Sequence, residues 1–481
     1  MFIGRKQELD FLEEKYSSNG GQFIVLYGRR RIGKTETLRE FCKDKPHVFY
    51  SCRECTDKQQ LRSFSKKLLD ESIPAAKYID SFMDWENAFA AISELPYGDK
   101  KRLLVIDEFP YMCKGNPEIP SILQNLWDAE LKDRNVMLIL CGSAMSFIEK
   151  ELLAEKNPLY GRATGIYKMT AMGFYDAIKF FPDYSPDDKI TVYSILGGTP
   201  HYLKQFDPGK SIEENVKKNI LTKGAILYSE TEFMLRQELR EAQNYNAIIE
   251  AIALGNTRFN DICQKSLIEA SSKVNVYLKN LIELGIVMRE FPVSAKVKEK
   301  ANIRNGLYKL TDNFFKFWYA FGNVNFSELE TGDVDGVYKY RIQPELHQYA
   351  SFVFEDVCIA YLRRLQMKEA LPFRFRHIGR WWGKQKHRSD AGITTTEAEI
   401  DIMAFDEQKE KYILGEYKFK NSGVSFADYT ALKAKFTPEE PDAEIYYYLF
   451  SETDFDSRLK QEARNDQYIK LISLNDIIDP K

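Results

Sequence analysis

Three short runs of consecutive apolar residues mark the early part of the chain: Phe23 to Tyr27, Leu103 to Ile106 and Val136 to Cys141. Runs of that length with no alternation suit strands buried on both faces, as in a parallel sheet covered by helices. A further strand is expected to end at Val48–Tyr50. Between these runs the apolar positions recur at helical spacing. Leu9, Phe11 and Leu12 make one face, Phe82 to Ile92 reads as helical, and Ile122, Leu126 and Leu131 belong to a helix over 119–132. Strands alternating with helices predict an α/β architecture with a parallel sheet.

The pattern then changes. From about 205 to 240 the chain is charged and helical, the composition of a lid. Helices are expected at Tyr245–Leu254, Arg258–Lys265 and Ser271–Leu284. In the last, Val274, Tyr277, Leu278, Leu281 and Leu284 share a face and Gly285 closes it. Two strand-like runs, Ile286–Phe291 and Gly306–Leu310, flank the basic Ala295-Lys-Val-Lys-Glu-Lys300. Three helices and a hairpin with a basic tip read as a winged helix. An aromatic helix over 311–321 and a linker at Gly332–Gly336 follow. An amphipathic helix starting near Ala350 precedes two alternating strands, Glu397–Phe405 and Tyr412–Phe419.

The first apolar run leads into Gly28-Arg29-Arg30-Arg31-Ile32-Gly33-Lys34-Thr35, with Glu36 opening a helix. Glycines at these two positions let the backbone curl so that successive N–H groups point at one anion, and the helix adds its positive end. Lys34 then reaches the β- and γ-phosphates of ATP, and the Thr35 hydroxyl takes a place on Mg²⁺. This is a Walker A loop. The strand ending in Asp107-Glu108 supplies the matching Walker B element, with Asp107 on the metal and Glu108 orienting or deprotonating water. Ser143, after Gly142, stands where a third strand tip faces the γ-phosphate, a place an ordinary turn serine also takes.

Composition adds bounds. A chain of 481 residues is expected to hold about three domains. The formal charge of −3 gives no global pull toward nucleic acid, so such binding must come from local patches. No apolar run approaches the roughly 18 residues that span a bilayer, and the N-terminus lacks a signal-peptide core. Seven cysteines are too sparse for a disulfide framework, so a reducing cytoplasm is the expected home and no membrane is a partner. Cys52-Arg-Glu-Cys55 is a lone C-x-x-C, which serves either a metal or redox centre or simply the end of the second strand.

The Phe-Ile-Gly-Arg opening, GRRRIGKT, VIDEFPYM, LCGSAMS, Pro158-Leu-Tyr-Gly-Arg162 and Gly197-Gly-Thr-Pro200 occur in order and at fitting intervals. Together they resemble the archaeal-type ATPases, relatives of the AAA+ and STAND NTPases. The resemblance implies a P-loop NTPase sheet, an arginine-finger or sensor-like role for Arg162, and a place near the adenine for Pro200. A surface salt bridge is the alternative for Arg162. Ser143 replaces the Asn often seen at the AAA+ sensor position. The family commonly carries a winged helix, whose partner is either DNA or a protein.

The last part holds a second chemistry. Period two places Glu416 and Lys418 on one face of a strand whose neighbour carries Asp401. Two carboxylates converging across strands bind Mg²⁺, while the ammonium polarises water or the scissile phosphate. Asp followed by Glu-x-Lys on paired strands resembles the PD-(D/E)XK nucleases, and Glu355 matches the acid these enzymes often carry on a preceding helix. The basic stretch Arg363 to Arg388, with Trp381 and Trp382, offers a phosphate-facing surface. A solvated Glu416–Lys418 pair, or a nuclease fold retained for binding, are the alternatives. The expected organisation is a P-loop ATPase domain with helical lid (1–235), a winged helix (236–312), a connecting helix and linker (313–340) and an α/β restriction-endonuclease-like domain (341–481). Self-association is left open, as is whether Arg162 acts within its own subunit.

Overall fold

The computed structural model describes residues 2–479 except 72, 96–99, 240, 303–304, 390–391, 420–422 and 439, with the backbone alone at 386–389 and 392–394. The chain divides into two compact units, 1–172 with 199–201, and 173–198 with 202–481.

The first unit is built on five parallel strands: β1 (Gln22–Tyr27), β2 (His47–Ser51), β3 (Arg102–Asp107), β4 (Val136–Gly142) and β5 (Gly165–Lys168). Their spatial order is β2-β3-β4-β1-β5. Every residue of β1, β3 and β4 is buried, as the unbroken apolar runs require. Leu12, Ile24, Leu38, Phe41 and Ile139 pack on one face; Phe23, Leu104, Leu123, Trp127 and Leu138 pack on the other. β4 lies between β1 and β3 and pairs with both, so three carboxyl ends stand side by side. That edge is where a parallel α/β sheet places its ligands.

In the second unit, helices Ala242–Ala253, Phe259–Lys265 and Ser271–Glu283 precede an antiparallel pair, β6 (Val287–Glu290) and β7 (Leu307–Leu310). Val274, Tyr277, Leu278 and Leu281 are buried, as their spacing predicted. The basic stretch between the two strands contains a helical turn, Val297–Ala301, rather than a simple hairpin tip. There the Glu299 carboxylate accepts the Lys296 N–H at 2.7 Å. Gly332–Gly336 is no linker either. Asp333 caps the helix Val334–Val337 by accepting the Gly336 N–H at 2.9 Å, and Val337 is buried in the core. The aromatic segment buries Phe314, Phe315 and Phe317.

The long helix Gln343–Met367 packs on a second five-stranded sheet. Its strands are β8 (His377–Ser389), β9 (Gly392–Phe405), β10 (Lys411–Lys418), β11 (Glu444–Ser451) and β12 (Ile469–Ser473). The order is β12-β11-β10-β9-β8, with β10, β11 and β12 parallel and β9 antiparallel to both its neighbours. Leu362 of the long helix is fully buried with Phe354, Ile413 and Phe450. Leu362→Ala is expected to cost about 3 kcal/mol, within the range for a buried leucine, read as a lowered urea midpoint. A change below about 0.5 kcal/mol, the size of an ordinary surface substitution, contradicts this packing.

Candidate functional site

The loop between β1 and the helix Lys34–Cys42 folds as its glycines allow. Gly28 has φ 155° and Gly33 has φ 91°. A Cβ on Gly28 would lie 2.3 Å from the Met169 carbonyl oxygen, so no side chain fits there. Lys34 is buried and donates to the carbonyls of Gly28 at 2.9 Å and Arg29 at 3.0 Å. Among the other loop residues, Arg30 donates to the Tyr111 hydroxyl at 3.0 Å, and Arg31 takes the left-handed conformation at φ 69°. Glu36, one turn into the helix, faces Arg39 at 3.8 Å on an exposed surface.

The three strand ends meet this loop. The Thr35 hydroxyl donates to Asp107 Oδ2 at 2.7 Å, joining the residue after the P-loop lysine to the tip of β3. The next residue, Glu108, is left-handed at φ 51°. Its Oε2 accepts the Ser143 hydroxyl at 2.8 Å and the Ser143 N–H at 3.2 Å, so the end of β4 holds this carboxylate in place. The donor set fits an oxygen-loving cation: a threonine hydroxyl and a buried carboxylate in contact, beside a loop that excludes a Cβ at Gly28. Pro200 lies against the loop, its Cγ 3.6 Å from where a Gly33 Cβ would be.

Arg162 is placed differently from a free finger. Its guanidinium forks onto Asp128, with Nε at 2.9 and 3.0 Å and Nη2 at 2.7 Å, and Nη1 donates to the Pro158 and Tyr160 carbonyls. Cys52 and Cys55 stand at the end of β2 as free thiols, Cys55 donating to Gln60 Oε1 at 2.9 Å.

A residue that pattern alone does not single out is Arg5. It is buried and left-handed at φ 63°. It donates to Glu8 at 2.6 Å, to the Thr170 carbonyl at 2.8 Å and to the Ile32 carbonyl at 2.5 Å. One guanidinium thus ties the N-terminal helix and the segment after β5 to the phosphate loop, using the rigid fork that lysine lacks.

In the second unit, the register that pairs Gly415 with Ile402 puts Glu416 across from Asp401. Asp401 Oδ2 accepts the Tyr417 N–H at 3.3 Å. Glu416 is held by Lys418 at 3.0 Å and by Lys435 at 2.7 Å. Burial, then the facing Glu416 charge, push Asp401 up to about 6. Glu355 is buried on the long helix, one oxygen 3.4 Å from Arg380 Nε and the other without a hydrogen-bond partner. Burial pushes it up to about 8 against the pull of Lys309 and Arg380. Burial, then the Asp401 and Glu355 charges, also hold the Tyr417 hydroxyl up, so the two acids share one neighbourhood.

Two arginines of the basic stretch are taken up by acids. Arg380 meets Glu290, Glu355 and Glu399, and Arg376 meets Glu407. Trp381 is buried edge-on to Phe436, while the Arg380 guanidinium lies over Trp382 at 5.6 Å. The side chains of Lys386 and Arg388 lie outside the described residues. Arg5→Ala removes one partner of a buried ion pair and is expected to cost about 3 kcal/mol. An unchanged denaturation midpoint for that variant would show that the brace is idle.

Residues 2–206 match the family described as an ATPase domain predominantly from Archaea. Residues 318–431 match a family of archaeal and bacterial proteins of unknown function. An uncharacterized protein of Methanocaldococcus jannaschii is 34% identical over 421 residues, covering 88% of this chain and 88% of that one. An uncharacterized ATP-binding protein of the same organism is 51% identical over 45 residues, 9% of this chain and 76% of that protein. Among solved structures, the Walker-type ATPase of Pyrococcus abyssi is similar in fold at a TM-score of 0.50 and 20% identity, over 66% of this chain and 96% of that one. Glycine loop, strand-end acids and family match agree, and the chain belongs to the archaeal-type P-loop ATPases.

Proposed function

We propose that the chain is an ATP-binding and ATP-hydrolysing switch that acts on DNA. The observation that carries the first half is the Thr35–Asp107 contact beneath the glycine cradle, with Glu108 fixed one residue away by Ser143. Lys34 and the loop amides from Gly28 to Thr35 hold the phosphates, and Pro200 lines the nucleotide side of the loop. Thr35 and Asp107 hold Mg²⁺, which when bound neutralises charge on the phosphate oxygens. Glu108 takes the proton of the attacking water, and Ser143 keeps its carboxylate pointed. Arg162, released from Asp128, serves as the residue that senses the γ-phosphate.

The DNA half of the reading rests on the second unit. The three helices with β6 and β7 make a winged helix whose third helix and basic tip contact the duplex. Asp401, Glu416 and Lys418, with Glu355 behind them, form a metal-dependent nuclease-like site on a mixed sheet. What supports it is the facing of Asp401 and Glu416 across β9 and β10. Both Glu416 oxygens carry ammonium partners, so Mg²⁺ would enter by displacing Lys418 or Lys435. The second reading is a non-nucleolytic regulator that binds a protein through the winged helix, favoured by the neutralisation of Arg376 and Arg380 by acids.

Lys34→Ala is expected to abolish binding of a fluorescent ATP analogue. Glu108→Gln is expected to keep binding and lower turnover by at least about 100-fold, the usual worth of a positioned base. Wild-type turnover in Glu108→Gln would move the base elsewhere. For the second unit, plasmid nicking with Mg²⁺ or Mn²⁺ is expected in wild type and absent in a variant carrying Asp401→Ala and Lys418→Ala. Equal nicking by both, or none by either, leaves the regulator reading standing.

A further inference from the structure

Three side chains from separate elements of the second unit converge away from Asp401 and Glu416. Asp187 stands in the first turn of the helix Pro186–Leu196, His347 on the long helix Gln343–Met367, and Glu452 directly after β11. One ligand atom from each lies within 4.8 Å of the other two. His347 Nε2 is 2.9 and 3.0 Å from the two Glu452 oxygens. Asp187 Oδ1 is buried with no hydrogen-bond partner. Among the described residues, neither carboxylate has a lysine or arginine partner, unlike Glu416 with its two.

Two carboxylates and an imidazole at this spacing need a positive charge among them. A divalent ion among the three donors supplies that charge. The donors are one nitrogen and carboxylate oxygens, a set that suits borderline first-row ions such as Zn²⁺ better than Ca²⁺, which takes oxygen alone.

The supports around the three donors are already fixed. The Ser185 hydroxyl accepts the Asp188 N–H at 3.1 Å and Pro186 occupies the first helical position, setting the turn that carries Asp187. The Tyr349 hydroxyl, two residues along from His347, donates to the Ser194 carbonyl at 3.2 Å, joining the two helices. The His347 ring stacks on Phe419 at 4.7 Å and 24°. The Glu452 N–H donates to the Lys418 carbonyl at 3.1 Å. His347 is 43% exposed in its side chain and Glu452 13%, which leaves a path for an ion.

We propose that Asp187, His347 and Glu452 form a site for a divalent transition ion, Zn²⁺ foremost, that clips the 173–198 segment and the long helix to the end of β11. The site is separate from the P-loop and asks nothing of nucleotide. It also sits one backbone hydrogen bond from Lys418, so an ion here stiffens the strand end that carries the Glu-x-Lys pair.

The test uses the full chain, stripped with chelator, dialysed against Zn²⁺ without nucleotide, and assayed for zinc per chain by elemental analysis. Wild type is expected to hold one equivalent more than His347→Ala and one more than Asp187→Asn, and Zn²⁺ is expected to raise the melting temperature of wild type only. Far-UV circular dichroism and a cooperative melt of the metal-free variants check their folding. Should His347→Ala fail to fold, Asp187→Asn, nearly isosteric, reads the same loss. Equal zinc in wild type and Asp187→Asn overturns the proposal by assigning the metal elsewhere, for example to the cysteines. No zinc in wild type overturns it outright.

Discussion

The hydrogen bond between the Thr35 hydroxyl and the Asp107 carboxylate is the contact on which the first unit turns. It is possible because β4 sits between β1 and β3 and no wider element does. Strands stand about 4.8 Å apart, so the tips of β1 and β3 are separated by a single strand's width on either side of β4. That gap is bridged by one hydroxyl and one carboxylate, and the tip of β4 contributes Ser143 to the next acid. The arrangement at these strand ends is therefore a consequence of sheet order more than of any one loop. Burial of β1, β3 and β4 along their full lengths keeps that order from slipping.

The second unit solves a different electrostatic problem. It buries acids, and each is answered in its own way. Glu416 has two ammonium groups, Glu355 shares a guanidinium with Glu290 and Glu399, and Asp401 leans on a backbone amide. Among the described residues, the Asp187–Glu452 pair has an imidazole and neither an ammonium nor a guanidinium. Such unevenness separates charges that serve packing from charges that await a ligand, because an unpaired buried carboxylate is costly to keep.

Much of this was legible in the sequence. Continuous apolar runs located β1, β3 and β4, helical spacing located Ser271–Glu283, and period two placed Glu416 beside Lys418. The glycines and strand-end acids pointed to a P-loop ATPase because that pattern is local. What stayed hidden depends on partners far along the chain. Arg5 closes the Phe-Ile-Gly-Arg opening, but nothing beside it in the sequence tells that its guanidinium ends on the Ile32 carbonyl. Nothing near Arg162 names Asp128, and the basic stretch gave no sign that Arg380 would be spent on Glu290, Glu355 and Glu399. Gly332 and Gly336 suggested a linker because glycine marks turns, yet Asp333 caps a helix there.

Arg5 also carries a practical lesson for handling the molecule. Its guanidinium hangs from a residue at the outset of the chain, yet its other end supports the carbonyl of Ile32 within the nucleotide cradle. A dye placed on the helix Lys6–Ser17 therefore reports on that cradle through a single side chain.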